Sequence, residues 1–240
     1  MNSRFDEEEE KLVLEALRGG NISNYFQNPA GPPMVQQLER EFAEYIGVDY
    51  AVAVSNGTSA LHTAYLACGI RPGDRVFVPA HTFIATASMV LAVGAIPLFA
   101  DVDPSTYCIE DPNGHLFAEN AIVPVDLLGY PCDAKTIYEW AKSRNPPMVV
   151  IEDAAQALGS MRNGKRVGKE YNDCATWSAQ FTKSWTAGEG GMITTNDPKI
   201  AEKCRSIRSH GSGYLNSPYL TFNFRMTELQ LWTLPLIRVW

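Results

Sequence analysis

The feature that most limits what this chain can become is its alternation of short runs rich in valine and isoleucine with longer, helix-like stretches. "YAVAVS" leads into "TSALHTAYLACG", "DRVFVPA" leads into "TFIATASMVLAVG", and "AIPLFADVD" follows. Further on, "AIVPVD" leads into "DAKTIYEWAKS"; then come "PPMVVIEDAAQALG", "CATWSAQ" and "GGMITTN", and a helix from about Pro198 to Ser209. Strands apolar on both faces cannot leave either face in water, so they belong in a sheet covered on both sides. The fold class is therefore α/β, a mostly parallel sheet flanked by helices. Ahead of the sheet, helices are predicted over 7–18, ended by Gly19-Gly20, and from Pro33 to about Ile46, with proline in its favoured first turn. No repeat or low-complexity linker divides the chain, which predicts one domain over 1–240.

Charge narrows the function. A net charge of -7 argues against a nucleic-acid or anionic-membrane surface, because both need clustered positive charge. The acidic run Asp6 to Glu10 reads as a solvated first helical turn, where carboxylates suit the helix dipole. Five scattered cysteines with no C-x-x-C pair support neither a disulfide framework nor a zinc site. No apolar run reaches membrane-spanning length, and the acidic, polar opening residues are unlike a secretory leader; a cytoplasmic protein is expected.

In folds of this class ligands sit off the carboxyl ends of the strands, so the residues just after each apolar run are the ones to inspect. Asp153 ends "VVIED"; it is either a helix N-cap or a carboxylate aimed at a cationic ring nitrogen, and Gln156 lies three residues on. "SNGTSALH" sets Gly57, Thr58 and Ser59 at a strand-to-helix turn, either a plain capped turn or a phosphate seat. In "VPAHTFIATAS", Phe83 is either core or a ring stacked on a flat ligand, while His81 reads as a loop or packing residue.

"WSAQFTKSWTAGEGG" carries the sharpest signal. Lys183 stands between Phe181 and Trp185, five residues after Ser178, and Gly188, Gly190 and Gly191 are expected to turn the backbone sharply after it. Desolvation would lower the affinity of such an amine for its proton and free it to attack a carbonyl. A phosphate seat, an acid for a ring nitrogen, a stacking ring and an amine nucleophile are together the parts that pyridoxal 5'-phosphate uses.

The matching stretches "SNGTSALHTAYLACGIRPGDRVFVPAHTFIATA", "FADVDPSTY", "VIEDAAQALG", "SAQFTKSWTAGEGGMITTND" and "FNFRMTELQ" occur in one order, and the chain resembles the DegT/DnrJ/StrS family of fold-type-I sugar aminotransferases over most of residues 10–230. The resemblance implies transfer of an amino group from glutamate or glutamine to a keto-sugar, expected to be nucleotide-linked. Lys183 would carry pyridoxal 5'-phosphate as a Schiff base and shuttle protons. Asp153 would pair with the ring nitrogen, Gln156 would sit by the phenolic oxygen, and Phe83 would stack on the ring. Gly57, Thr58 and Ser178 would hold the phosphate. Asn223 would reach the phosphate of a neighbouring subunit, which implies a homodimer. Some relatives are dehydratases with histidine in place of the lysine, so Lys183 favours transamination; Gln180 resembles the branch acting on keto-cyclitols.

Two departures stand out. Asp126, in "VPVDLLGYPCD", occupies a position where the family often has histidine. After "MTELQ" the family continues into a small C-terminal domain, on the order of 100 residues, whereas this chain reads "LWTLPLIRVW" and stops. The expectation is a large domain without that small domain, its apolar end sticky unless covered. A non-catalytic remnant that binds the cofactor or a protein partner is the alternative. A nucleotide-binding reading falls for want of G-x-G-x-x-G or G-x-x-x-x-G-K-[ST].

Overall fold

A computed structural model of the chain describes residues 7–25, 28–109, 120–211 and 221–233. Six α-helices and nine strands lie within them. The helices are α1 (Glu7–Gly19), α2 (Pro33–Ile46), α3 (Gly57–Ala67), α4 (Ile84–Ala92), α5 (Ala134–Ser143) and α6 (Pro198–Ile207). The strands are β1 (Tyr50–Val54), β2 (Arg75–Pro79), β3 (Ile96–Ala100), β4 (Ala121–Ile122), β5 (Val149–Asp153), β6 (Met161–Arg162), β7 (Lys165–Arg166), β8 (Cys174–Ser178) and β9 (Gly191–Thr195).

Seven strands form one sheet in the order β1-β9-β8-β5-β4-β2-β3. Pairing is parallel from β8 through β3, and β9 alone runs against its two neighbours. The two faces are apolar for the reason the sequence gives: alternate residues of each strand enter opposite cores. Val52, Val76, Val78, Ile151 and Ile193 pack with α3, α4 and α6. On the other face Ala51, Ala53, Trp177 and Met192 meet Val35, Leu38 and Phe42 of α2, while Phe77, Ile122 and Val150 meet Ile137 and Ala141 of α5. No helix among the described residues is long and apolar enough to cross a membrane.

Two details differ from expectation. "AIVPVD" forms only a two-residue strand, because Pro124 has no N–H to continue the ladder. Its carbonyl still accepts from the Asp153 amide at 2.8 Å, and Val125 bridges to Asp153, so the segment runs on beside β5. The hairpin β6–β7 was not expected from strand patterning; Asn163 and Gly164 both have positive φ (52° and 76°), the requirement of a tight two-residue turn. The side chains of the apolar end, Leu231 to Trp240, lie outside the described residues.

Candidate active site

Because β1, β2, β5 and β8 are all followed by their connections at one edge of the sheet, the residues after them converge. A cavity of about 970 Å³ opens there, lined by Gly57, Thr58, Phe83, Asp153, Gln156, Ser178 and Lys183 among others. Seven of the eight residues singled out in the sequence thus share one space. Asn223 does not line it; it is exposed on the segment that bridges to Ser209.

The floor is Asp153, the last residue of β5 and buried. Its Oδ2 accepts from the Thr86 hydroxyl at 2.8 Å and its Oδ1 from the Ala155 amide at 3.3 Å. No helix begins after Asp153, so the capping alternative falls. Burial raises its proton affinity, and the Thr86 hydroxyl, the Ala155 amide and the charge of Lys183 oppose that rise. Thr86 is held in turn: its carbonyl accepts from the Tyr65 hydroxyl at 2.9 Å, and its own hydroxyl lies 3.0 Å from that of Thr82.

Lys183 sits in a tight turn, its amide donating to the Gln180 carbonyl at 2.9 Å. Burial lowers its proton affinity, while Asp153 pulls the other way. The side chain is half-buried, and the expected aromatic walls are not what encloses it. Trp185 packs into the core against Phe42, with ring centroids 5.0 Å apart, and Phe181 is half exposed. The glycines that follow also divide their work. Gly188 has φ of 74° and makes the turn. Gly190 and Gly191 are there for space: a Cβ on Gly191 would fall 2.3 Å from the Asn56 carbonyl oxygen.

At the start of α3, Asn56 is the N-cap, its Oδ1 accepting from the Ser59 amide at 2.8 Å, and the Ser59 hydroxyl accepts back from the Asn56 amide at 3.1 Å. That box uses Ser59 and leaves the amides of Gly57 and Thr58 at the open first turn. A Cβ on Gly57 would lie 2.8 Å from Ser178 Cβ and 3.1 Å from its hydroxyl, so the two segments touch only because Gly57 has no side chain. Two helix-terminal amides and the hydroxyls of Thr58 and Ser178 thus make a cradle of the kind that takes an anion. Opposite, Phe83 is 63 % exposed at the head of α4, a ring available to a ligand instead of the core. Gln156 Oε1 accepts from the Leu128 amide at 2.8 Å, which leaves the amide nitrogen as the donor toward the cavity.

Four groups escaped the sequence reading. Asn56 and Thr86 act through local capping and a contact 67 residues distant, and only Asn56 carried a signal, as a capping residue ahead of a helix. His62, buried against Phe222 and Phe224 with centroids at 4.7 and 5.5 Å, lines the cavity and has its proton affinity lowered by burial. Glu189 lines it from the turn after Lys183. His81, as expected, is a loop residue; its ring lies 5.3 Å from that of Tyr107.

The chain is similar to known proteins in sequence and in fold. The chain is 41 % identical over 233 residues to GDP-perosamine synthase of Caulobacter vibrioides, which covers 95 % of this chain and 60 % of that protein. An aminotransferase structure from Psychrobacter cryohalolentis superposes with a TM-score of 0.86 at 34 % identity, over 98 % of this chain and 62 % of that one. The Bacillus subtilis NtdA structure with bound cofactor PMP superposes with a TM-score of 0.82 at 30 % identity, over 95 % of this chain and 52 % of that one. The chain thus spans a little over half of the length of these relatives. The model of the DegT/DnrJ/EryC1/StrS aminotransferase family matches residues 3–232, nearly the whole chain, and to that family the chain belongs.

Proposed function

We propose that this chain is the cofactor-binding large domain of a pyridoxal 5'-phosphate-dependent aminotransferase that moves an amino group from glutamate or glutamine to a keto-sugar. The observation that carries the reading is the meeting, in one cavity, of the Gly57–Ser178 cradle, the Asp153 floor and the Lys183 amine. Family membership supports the cofactor, as does the PMP named in the NtdA structure. A nucleotide-linked sugar is supported by the likeness to a GDP-perosamine synthase.

When bound, the cofactor supplies an aldehyde carbon for amines and a pyridine ring that draws electrons from the bond being broken. The chain's own residues supply the rest. The amides of Gly57 and Thr58, with the hydroxyls of Thr58 and Ser178, would hold the phosphate at the positive end of α3. Phe83 would cover one face of the ring, and the Gln156 amide nitrogen would donate to its phenolic oxygen. Asp153, whose carboxylate form Thr86 and Ala155 favour against burial, would hold a proton on the ring nitrogen. Lys183 Nζ, its proton affinity lowered by desolvation, is the nucleophile and the base that takes and returns a proton. Asn223, exposed and outside this cavity, fits a role in the site of a second copy, and the working unit on this reading is a homodimer in the cytoplasm.

The test is chemical. Protein incubated with pyridoxal 5'-phosphate and reduced with borohydride should carry the pyridoxyl mass on the peptide containing Lys183, and Lys183→Ala should carry none. Label on another residue, or no label, would remove the proposal. Label on Lys183 with no spectral response to glutamate or glutamine would leave the binding half and remove the transfer half.

A further inference from the structure

Three buried carboxyl groups cluster where β5 ends, Asp126 and Asp153 lining the site cavity and Glu152 a smaller one. Asp126 is 1 % exposed, Glu152 2 % and Asp153 4 %. Asp126 follows the short β4 segment, and its amide donates to the Asp153 carbonyl at 3.1 Å, which fixes its backbone against the end of β5. Its Oδ1 accepts from the Cys132 amide at 2.8 Å. Its Oδ2 is buried and without a hydrogen-bond partner, and the Cys132 thiol, also close to this carboxyl, donates to the Val125 carbonyl at 3.0 Å. The Glu152 carboxyl is the group it meets. Glu152 in turn accepts from Asn172 Nδ2 at 2.7 Å and from the Gly168 amide.

Among the described residues no cation is placed to offset this pair. Asp126 faces Asp153 and Glu152 on β5 and the thiols of Cys132 and Cys108, none of them positive. Beside Glu152 is a small cavity of about 250 Å³ whose basic residues are engaged elsewhere. Arg162 pairs with Asp133 at 3.3 Å, Lys165 with Glu170, and Lys135 with Glu139 at 3.8 Å, while Arg166 lies over the Tyr45 ring at 4.2 Å. Lys183, the amine of the site, acts on Asp153. Two buried carboxylates in contact and without a cation cannot both stay ionised, and a shared proton is the remedy.

We propose that Asp126 and Glu152 are a proton-sharing acid pair, Glu152 donating to Asp126 Oδ2, and that the charge on this pair acts through Asp153 to set the pH at which Lys183 becomes a free amine. This makes Asp126 a positioning residue, and its role at the site rests on the function proposed above for Asp153 and Lys183. Burial and the neighbouring Asp153 push Asp126 up to about 7, and burial with the Asp126 charge pushes Glu152 well above the carboxylate range. Burial also pushes Asp153 up, and its two donors and the amine act against that rise. The pair gains a negative charge as pH rises through neutrality.

The test needs no cofactor for its first arm. In protein labelled with carbon-13 at aspartate and glutamate carboxyls, one resonance should titrate near pH 7. Asp126→Asn should abolish that titration, and Glu152→Gln should move its midpoint toward acid, because a neutral amide can donate to Asp126 without repelling its charge. Wild-type protein with no carboxyl titrating near neutrality overturns the pair, and this reading of wild type stands even if a variant fails to fold. The second arm follows the rate at which pyridoxal 5'-phosphate labels Lys183, trapped with cyanoborohydride across pH. Asp126→Asn should shift the midpoint toward acid, since an anion that favours protonated Lys183 is gone. An unchanged midpoint overturns the coupling. No labelling of Lys183 at any pH would instead count against the proposed function, with the carboxyl titration still deciding the pair.

Discussion

At the scale of single residues, the Asp153 carboxylate depends on a hydroxyl the sequence does not advertise. Thr86→Val keeps the volume and removes the donor to Oδ2, and losing a hydrogen bond to a charged group costs about 1.5–3 kcal/mol. Pyridoxal 5'-phosphate affinity should therefore fall by roughly tenfold to a hundredfold, read by absorbance titration. Asp153 should also take up protons more readily, so the loss should be larger at acid than at alkaline pH. Asp126 makes a prediction of the opposite kind. Its value in the fold, about 7, lies above the ordinary carboxylate range, so the folded state binds the extra proton. The stability it contributes is full below about pH 4 and is lost as pH rises to about 7. Urea midpoints of the native protein should carry that decline, and those of Asp126→Asn should lack it. Asp153, Lys183 and Gln156 were legible in the sequence because their motifs are local. Thr86 and the Asp126–Glu152 contact were not, since they exist only once β4 and β5 lie side by side and α4 packs over them.

At the scale of elements, the site is a set of strand ends and helix starts held at fixed separations. Gly57 is where α3 meets β8, and Gly57→Ala would set a Cβ 2.8 Å from Ser178 Cβ. The neighbour is close to its backbone and cannot swing away, so α3 and Ser178 have to part. Affinity for pyridoxal 5'-phosphate should drop by more than about tenfold, with the loss of one good phosphate contact as the yardstick, while the circular dichroism spectrum stays that of the native fold. A spectrum like wild type with undiminished affinity would show that the cradle does not hold the phosphate. Most elements were readable because apolar runs and helix-like stretches have different periods. Pro124 shortened β4, a cost that proline declares in advance. The β6–β7 hairpin was missed because strands of two residues have no period to read, although Asn163-Gly164 is a turn signal.

At the scale of the whole molecule, one buried arginine ties parts of the chain that are far apart in sequence. Arg208, fully buried after α6, pairs with Glu39 of α2, and its Nη1 also donates to the Ala53 carbonyl at 2.8 Å and its Nη2 to that of Ala30 at 3.0 Å. Removing Arg208 leaves the buried Glu39 carboxylate only the longer contact to Arg205 at 3.5 Å, so Arg208→Met should cost about 3–5 kcal/mol in a urea unfolding experiment. Replacing both, Arg208→Met with Glu39→Leu, should recover most of it. Nothing in the sequence set Arg208 apart from the other basic residues of α6, because its partner lies 169 positions away.

The same stitching continues beyond the arginine: the Tyr25 hydroxyl donates to the Met226 carbonyl at 2.7 Å, and the Met34 amide to Glu228 at 3.0 Å. A ribosome makes the early half of each of these links about two hundred residues before the late half. During synthesis, therefore, the ties that Tyr25, Met34 and Glu39 make here form only after the chain from Arg208 to Glu228 has been made.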